Sequence, residues 1–264
     1  MVSEYDDYVE AWYDSARSVL GLAGGLSETD WRAATDCPGW TVHDVVAHLA
    51  AIEHELATGQ RPVVEISGTT AVSEYTEAGV AERRTMPPAD LVEQLRAGVQ
   101  TRRDLLEASP PDDLSARADR APGNIGWDWR TLLRNRAIDM WVHEQDIRRA
   151  LGRPGGMNGP GARLTASTFL AALPFVIARR AAAPAGAVVT LVLDGTHFDF
   201  AVTDDGHCAA VESASGLATV TLRMDTEALT ILGAGRRDPA IVGVHIDGDR
   251  ELGARVLAGM AVTP

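Results

Sequence analysis

Lysine is absent from this 264-residue chain: all 24 basic residues are arginine, set against 37 acidic ones. Electrostatics does not require that, since lysine solvates a surface equally well. With few asparagines and many alanines and glycines, the composition reads as the codon bias of a high-GC genome. Positive charge is scarce overall, and a net charge of −13 repels phosphate backbones and anionic lipid. Nucleic-acid and membrane-surface partners are therefore not expected. Cysteine is nearly missing too. Cys37 and Cys208 lie far apart, which excludes a disulfide framework and points to a reduced compartment. Cys37, in "DCPGW", reads as a small buried thiol ahead of a Pro-Gly turn rather than a nucleophile. No apolar run reaches the roughly 18–20 residues needed to cross a bilayer. The acidic start "MVSEYDDYVE" lacks the basic-then-apolar pattern of a signal peptide, so a cytoplasmic protein is expected.

What is present divides into two halves of different periodicity. Residues 1–155 read as helices. The stretch "YVEAWYDSARSVLGLAGGL" ends in a double glycine. A second, "TVHDVVAHLAAIEHELATG", opens with Thr41 three residues before Asp44, like a capping box, and stops at Gly59. A third helix lies between the proline pairs of "PPADLVEQLRAGVQTRRDLLEASPP", and a fourth runs from about Thr131 to Leu151. Four such helices joined by loops predict a four-helix bundle. The glycine- and proline-rich segment "GRPGGMNGPGA", residues 152–162, marks a domain boundary. Beyond it one helix precedes the short β-branched runs "AVVTLVLDG", "HFDFAVTDDG" and "LATVTLRMD". Asp194-Gly195 and Asp205-Gly206 separate them as hairpin turns do. Residues 156–264 therefore read as a small α+β domain.

The fourth helix carries the most crowded run of charges, "IDMWVHEQDIRRALGRPG". At 100° per residue Asp139, His143 and Asp146 form one stripe flanked by Ile147, Met140, Val142 and Ile138. Glu144, Gln145 and Arg148 fall opposite, with Trp141, and are expected to face water. On the second helix His48 shares a face with Ile52, Val45, Leu56 and Leu49, whereas His43 and His54 point outward with Ala50. A polar stripe inside an apolar face costs desolvation unless it is satisfied. A buried Asp–His–Arg network satisfies it. So does a metal: one histidine from one helix and an Asp-x-x-x-His pair from another make a three-ligand set with a fourth position open, as in catalytic zinc sites. His197, His207 and His245 lack ligand spacing and read as structural or exposed. "GLAGG" and "GAGRRD" are too loose for phosphate-binding loops.

"CPGWTVHDVVAHL", followed some ninety residues later by "DMWVHEQDIRRALGRPG", resembles the DinB-like mycothiol-dependent metalloenzymes of the maleylpyruvate isomerase family. The closing "VHIDGDRELGARVLAGMAV" is similar to that family's small C-terminal domain, so the resemblance covers essentially the whole chain. It implies a DinB-like four-helix bundle over residues 1–155 and a sterol-carrier-like α+β domain over 156–264. It also implies metal ligands at His48, Asp139 and His143, with Asp146 orienting His143. The acidic ligand in such proteins is often Glu, so Asp139 is a departure by one methylene. The implied cofactors are zinc and mycothiol, the low-molecular-weight thiol of actinobacteria, with which the lysine-free composition agrees.

The resemblance implies a zinc-activated thiol that attacks a small electrophile, giving cis–trans isomerisation or S-transfer. Arg83 or Arg84 offers a cationic anchor for a dicarboxylate, although an exposed helix-end pair is the plainer reading. Two other classes remain open: a non-enzymatic metal- or small-molecule-binding protein, and a thiol-independent metal hydrolase. Trp127 and Trp129 line an entrance or pack the start of the fourth helix.

Overall fold

Thr41 begins the helix that matters most. Its hydroxyl accepts from the Asp44 amide, and Asp44 accepts from the Thr41 amide in return. Two otherwise orphaned donors are thereby satisfied at the N-terminus. In the computed structural model, residues 3–62, 71–212 and 218–263 are described. The chain divides into two compact units, Met1–Leu164 and Thr165–Pro264.

The first unit is a helical bundle. Its long members are α1 (Glu4–Ala23), α3 (Val42–Thr58), α5 (Pro88–Ala108) and α6 (Trp129–Ala150), the four helices read from the sequence. Two shorter helices, α2 (Glu28–Trp31) and α4 (Ala71–Ala81), add to the four expected. Trp12, Val19, Leu49, Leu91, Leu95, Met140 and Ile147 form the core between them. Trp127 and Trp129, both half-buried, pack against the cluster of Ile52, Leu56 and Leu132 at the start of α6.

The expected solvated face of α6 needs correction. Trp141, Glu144 and Gln145 are buried, and Arg148 is half-buried. Helix α1 covers that face, and its Ser18 hydroxyl donates to Glu144 at 2.6 Å. Arg148 donates to both Glu144 and Ser18, while the Trp141 indole donates to the Gly156 carbonyl. The charges are paired rather than hydrated, which is what burial demands of them. Ala50, expected outside, is fully buried, and His43 and His54 are half-buried. Arg83 is also buried, donating to the Gly79 carbonyl and to Gln94, whereas Arg84 bridges Asp44 and Glu77 at the surface.

Helix α7 (Pro160–Phe175) runs on into a π-helical turn, Val176–Arg180. Pro174 sits just before that turn, where its missing N–H and ring disturb the regular ladder. By length and composition alone, Pro160–Arg180 is apolar enough to cross a membrane, unlike the expectation that no such stretch exists. Phe169, Leu173, Val176 and Ile177 on it are buried.

The second unit holds a five-stranded sheet in the order β3-β2-β1-β4-β5. Its strands are β1 (Val188–Leu193), β2 (Thr196–Val202), β3 (Cys208–Val211), β4 (Val220–Met224) and β5 (His245–Gly248). Asp194 and Gly195 both have positive φ, the tight hairpin turn that the Asp-Gly pair announces. β1 pairs in parallel with β4, the one non-antiparallel pair among the described strands. Helices α8 (Thr226–Gly233) and α9 (Arg250–Ala258) complete the unit, capped by Asp225 and Asp249. His197, His207 and His245 are exposed. Together the units make an all-helical part followed by a mixed α+β part, as the sequence leads one to expect.

Gly233 lies flush against Phe169, so that a Cβ there would overlap the ring. Gly233→Ala is expected to destabilise the second unit by about 1–3 kcal/mol through overpacking. Chemical denaturation followed by far-UV circular dichroism checks this, and an unchanged midpoint would contradict it.

Candidate metal centre between helices α3 and α6

The turn Cys37–Trp40 sets the approach to the site. The Trp40 amide donates to the Cys37 carbonyl at 3.0 Å, Pro38 fixes the first corner, and Gly39 takes the positive φ of 80° required at the second. That geometry sends Cys37 inward and lays Trp40 over two imidazoles. Its ring centroid is 5.4 Å from that of His48 and 6.1 Å from that of His143.

The four-residue spacing of Asp139 and His143 puts both on one side of α6, and α3 brings His48 against them. His48 Nε2 is 3.2 Å from Asp139 Oδ2 and 3.4 Å from Oδ1. His143 Nε2 is 3.6 Å from Asp139 Oδ1. The two imidazole side chains are 8% and 7% exposed and the Asp139 side chain 30%, so the carboxylate forms the cluster's opening to solvent.

Two polar networks hold this cluster. On one side, His143 Nδ1 is 3.0 Å from Asp146 Oδ2, and the Cys37 thiol donates to the same oxygen at 3.2 Å. Asp146 Oδ1 accepts from Arg149, which also donates to Asp36. On the other side, Arg136 donates to Asp139 Oδ2 at 2.5 Å and to Glu53 at 2.8 Å. Glu53 is fully buried and accepts further from Arg102 and the Trp12 indole. Gly98 makes this approach possible, since a Cβ there would stand 3.0 Å from the Glu53 backbone.

These contacts set the protonation states. Burial pushes the His48 imidazole down and outweighs the pull of Asp139. Burial opposes charge on Asp139 as well, but Arg136, His48 and His143 hold its carboxyl well below the usual range. Burial also disfavours the His143 cation, yet Asp139, Asp146 and Cys37 together raise it to about 10. The site thus contains a fixed anion between two imidazoles of opposite tendency.

Two groups of three ligand-type side chains occur among the described residues: His48–Asp139–His143 and Cys37–His143–Asp146, each with its ligand atoms within 4.8 Å of one another. In the second group, Asp146 already satisfies His143, Cys37 and Arg149 as a hydrogen-bond network. The first group fits an ion better. A tetrahedral zinc with bonds of about 2.0–2.1 Å keeps its ligand atoms about 3.3 Å apart. The separations between Asp139 Oδ1 and the two Nε2 atoms are 3.4 and 3.6 Å. The structure therefore brings together all four residues singled out in the sequence. It adds Cys37, Trp40, Arg136 and Glu53 around them. Arg136 stands three residues before Asp139 on α6, a spacing that puts it beside the stripe, but Cys37 is 106 residues from His143 and no local pattern joins them.

A helical bundle enclosing a two-histidine, one-carboxylate cluster, followed by a mixed-sheet unit, defines a two-unit protein with a polar centre buried in its first unit. Residues 12–148 match the mycothiol maleylpyruvate isomerase N-terminal domain, and residues 163–255 match the C-terminal domain of the same family. The chain belongs to the mycothiol maleylpyruvate isomerase family, a family of enzymes. Two crystal structures share its fold: the mycothiol-dependent maleylpyruvate isomerase and a histidine-to-alanine mutant of it. Each aligns over 94% of this chain and 96% of its own at 15% identity, with TM-scores of 0.56 and 0.55. No curated protein matches the chain by sequence.

Proposed function

We propose that this protein is a mycothiol-dependent zinc enzyme of the isomerase type, with His48, Asp139 and His143 as the metal ligands. The convergence of two imidazoles and one carboxylate on a partly open point carries this reading. Bound zinc supplies the positive charge that lowers a thiol's pKa and keeps it as thiolate near neutral pH. The chain's residues do the rest. Asp146 accepts from His143 Nδ1–H and fixes the tautomer whose Nε2 lone pair faces the ligand cluster. Trp40 covers both imidazoles and keeps water from them. The partial exposure of Asp139 leaves one side for a thiol and a small electrophile. The reaction class is thiol-assisted cis–trans isomerisation, with S-transfer as the alternative use of the same thiol. Maleylpyruvate, named for the relatives, is the first substrate to test.

Turnover of maleylpyruvate by the purified enzyme is expected to require both mycothiol and metal. Hydrolytic cleavage without thiol would identify a metal hydrolase, and absence of thiol-dependent turnover despite bound metal would indicate a binding protein. Either result overturns the proposal.

Metal binding should also release a proton. With its pKa at about 10 in the metal-free protein, His143 carries a proton at about pH 7–8 that must leave when the ring ligates. Calorimetry in buffers of different ionisation enthalpy is expected to count roughly one proton per ion. Apparent affinity is expected to rise roughly tenfold per pH unit below that pKa. The sign for folding is opposite. The metal-free protein keeps this group's contribution below the ordinary value of 6.5 and loses it as pH climbs through about 10. Binding heats independent of buffer would contradict the assignment of His143 as ligand.

A further inference from the structure

We propose that Arg136 is a positioning residue for Asp139, anchored from behind by Glu53. The inference rests on the reading of Asp139 as a metal ligand and assigns a role to the buried charges next to it. An aspartate can turn about its last side-chain torsion, and only some settings present an oxygen to both imidazoles. Arg136 removes that freedom. One arm of its guanidinium donates to Asp139 Oδ2 at 2.5 Å, leaving Oδ1 as the oxygen that lies near both imidazoles, 3.4 Å from His48 Nε2 and 3.6 Å from His143 Nε2, while Oδ2 is 3.2 Å from His48 Nε2. The other arm donates to Glu53 at 2.8 Å. The rigid, planar fork serves two carboxylates at once, which a lysine ammonium does with far less geometric control.

A guanidinium beside a cation site carries an electrostatic cost, and the network cancels it. Arg102, Glu53, Arg136 and Asp139 alternate in sign and sum to zero, the first three being buried. Charge repulsion from Arg136 is thereby offset while its directional hold on Asp139 remains. Arg102 supplies the internal comparison. It is equally buried and binds the same Glu53 at 3.1 Å, but among the described residues its hydrogen bonds go to Glu53 and not to Asp139. A purely structural ion-pair network makes the two arginines equivalent for metal binding; a positioning role does not.

The test is the zinc dissociation constant of the full chain, measured by chelator competition, with folding followed by thermal melting. Arg136→Met is expected to weaken zinc binding about 10–100-fold, the usual consequence of removing a hydrogen-bond partner from a metal ligand. Arg136→Lys is expected to fall between Arg136→Met and wild type. Arg102→Met is expected to lose stability while losing far less zinc affinity than Arg136→Met, since its guanidinium bonds to Glu53 and not to the ligand carboxylate. The inference is overturned if folded Arg136→Met binds zinc like wild type, or if Arg102→Met loses as much affinity as Arg136→Met. Should Arg136→Met not fold, Arg136→Lys decides: weakened binding supports the role and unchanged binding overturns it. Failure of the wild type itself to bind zinc would instead overturn the metal reading, and this inference with it.

Discussion

Replacing His48 with alanine is expected to empty the centre and abolish turnover while leaving the bundle folded. Metal analysis should fall from about one ion per chain to near zero, because two ligands from α6 alone do not make a closed set. Thiol-dependent turnover should fall on the order of 10³-fold, since a bound metal contributes several kcal/mol to the barrier and each 1.4 kcal/mol is roughly tenfold. The fold should survive. His48 Nδ1 is buried without a hydrogen-bond partner among the described residues, so removing the ring breaks only its contacts with Asp139 and the neighbouring rings. Elemental analysis and a thiol-dependent assay on the same preparation read both effects. Stoichiometric metal in His48→Ala would falsify the ligand assignment.

The largest effect on stability is expected at Glu53, which no part of the proposed chemistry touches directly. Glu53→Gln keeps the shape but leaves Arg102 and Arg136 as buried cations without their shared anion. Breaking a buried pair in this way costs about 3–5 kcal/mol, which for a unit of this size lowers Tm by roughly 10 °C. The same carboxyl gives the loss a pH signature. Burial opposes its ionisation, but Arg102 and Arg136 hold it below the ordinary 4.5. Its stabilisation is therefore present above that value and lost as pH falls through the lower folded pKa. Replacing Glu53 and Arg102 together with apolar residues should destabilise less than Glu53→Gln alone, because Arg136 keeps Asp139 as its partner and no uncompensated charge remains. A Glu53→Gln protein within about 1 kcal/mol of wild type would show that these charges are not a coupled set.

Local rules carried the sequence reading where local physics decides. Thr41 and Asp44 cap α3 reciprocally, and Asp194-Gly195 makes the hairpin turn between β1 and β2. The four-residue step from Asp139 to His143, together with the apolar face around His48, brought the three proposed ligands to one place. The reading failed where a second element decides. One helix's periodicity ranks its faces but does not tell whether the more polar face meets water. In α6 both faces are covered, and Glu144 is buried because Ser18 and Arg148 pair with it. Glu53 gave no signal either, since a single glutamate in an apolar helix looks like any surface charge until α5 and α6 supply its arginines. β3 has no such signal for a different reason: it is a four-residue strand with no fully buried side chain, and its Cys-Ala-Ala-Val sequence is too short and too uniformly apolar to show alternation. The parallel pairing of β1 with β4 joins segments about thirty residues apart and has no local signature.

One measurement bears most directly on the proposal that the His48–Asp139–His143 centre presents a thiol as thiolate. Cobalt(II) replaces zinc in such donor sets and reports its own ligands by absorption. Mycothiol added to the cobalt-loaded protein near neutral pH is expected to produce a thiolate-to-cobalt charge-transfer band that saturates at about one equivalent per chain. Cobalt bound in full, with a spectrum that mycothiol leaves unchanged, would contradict it.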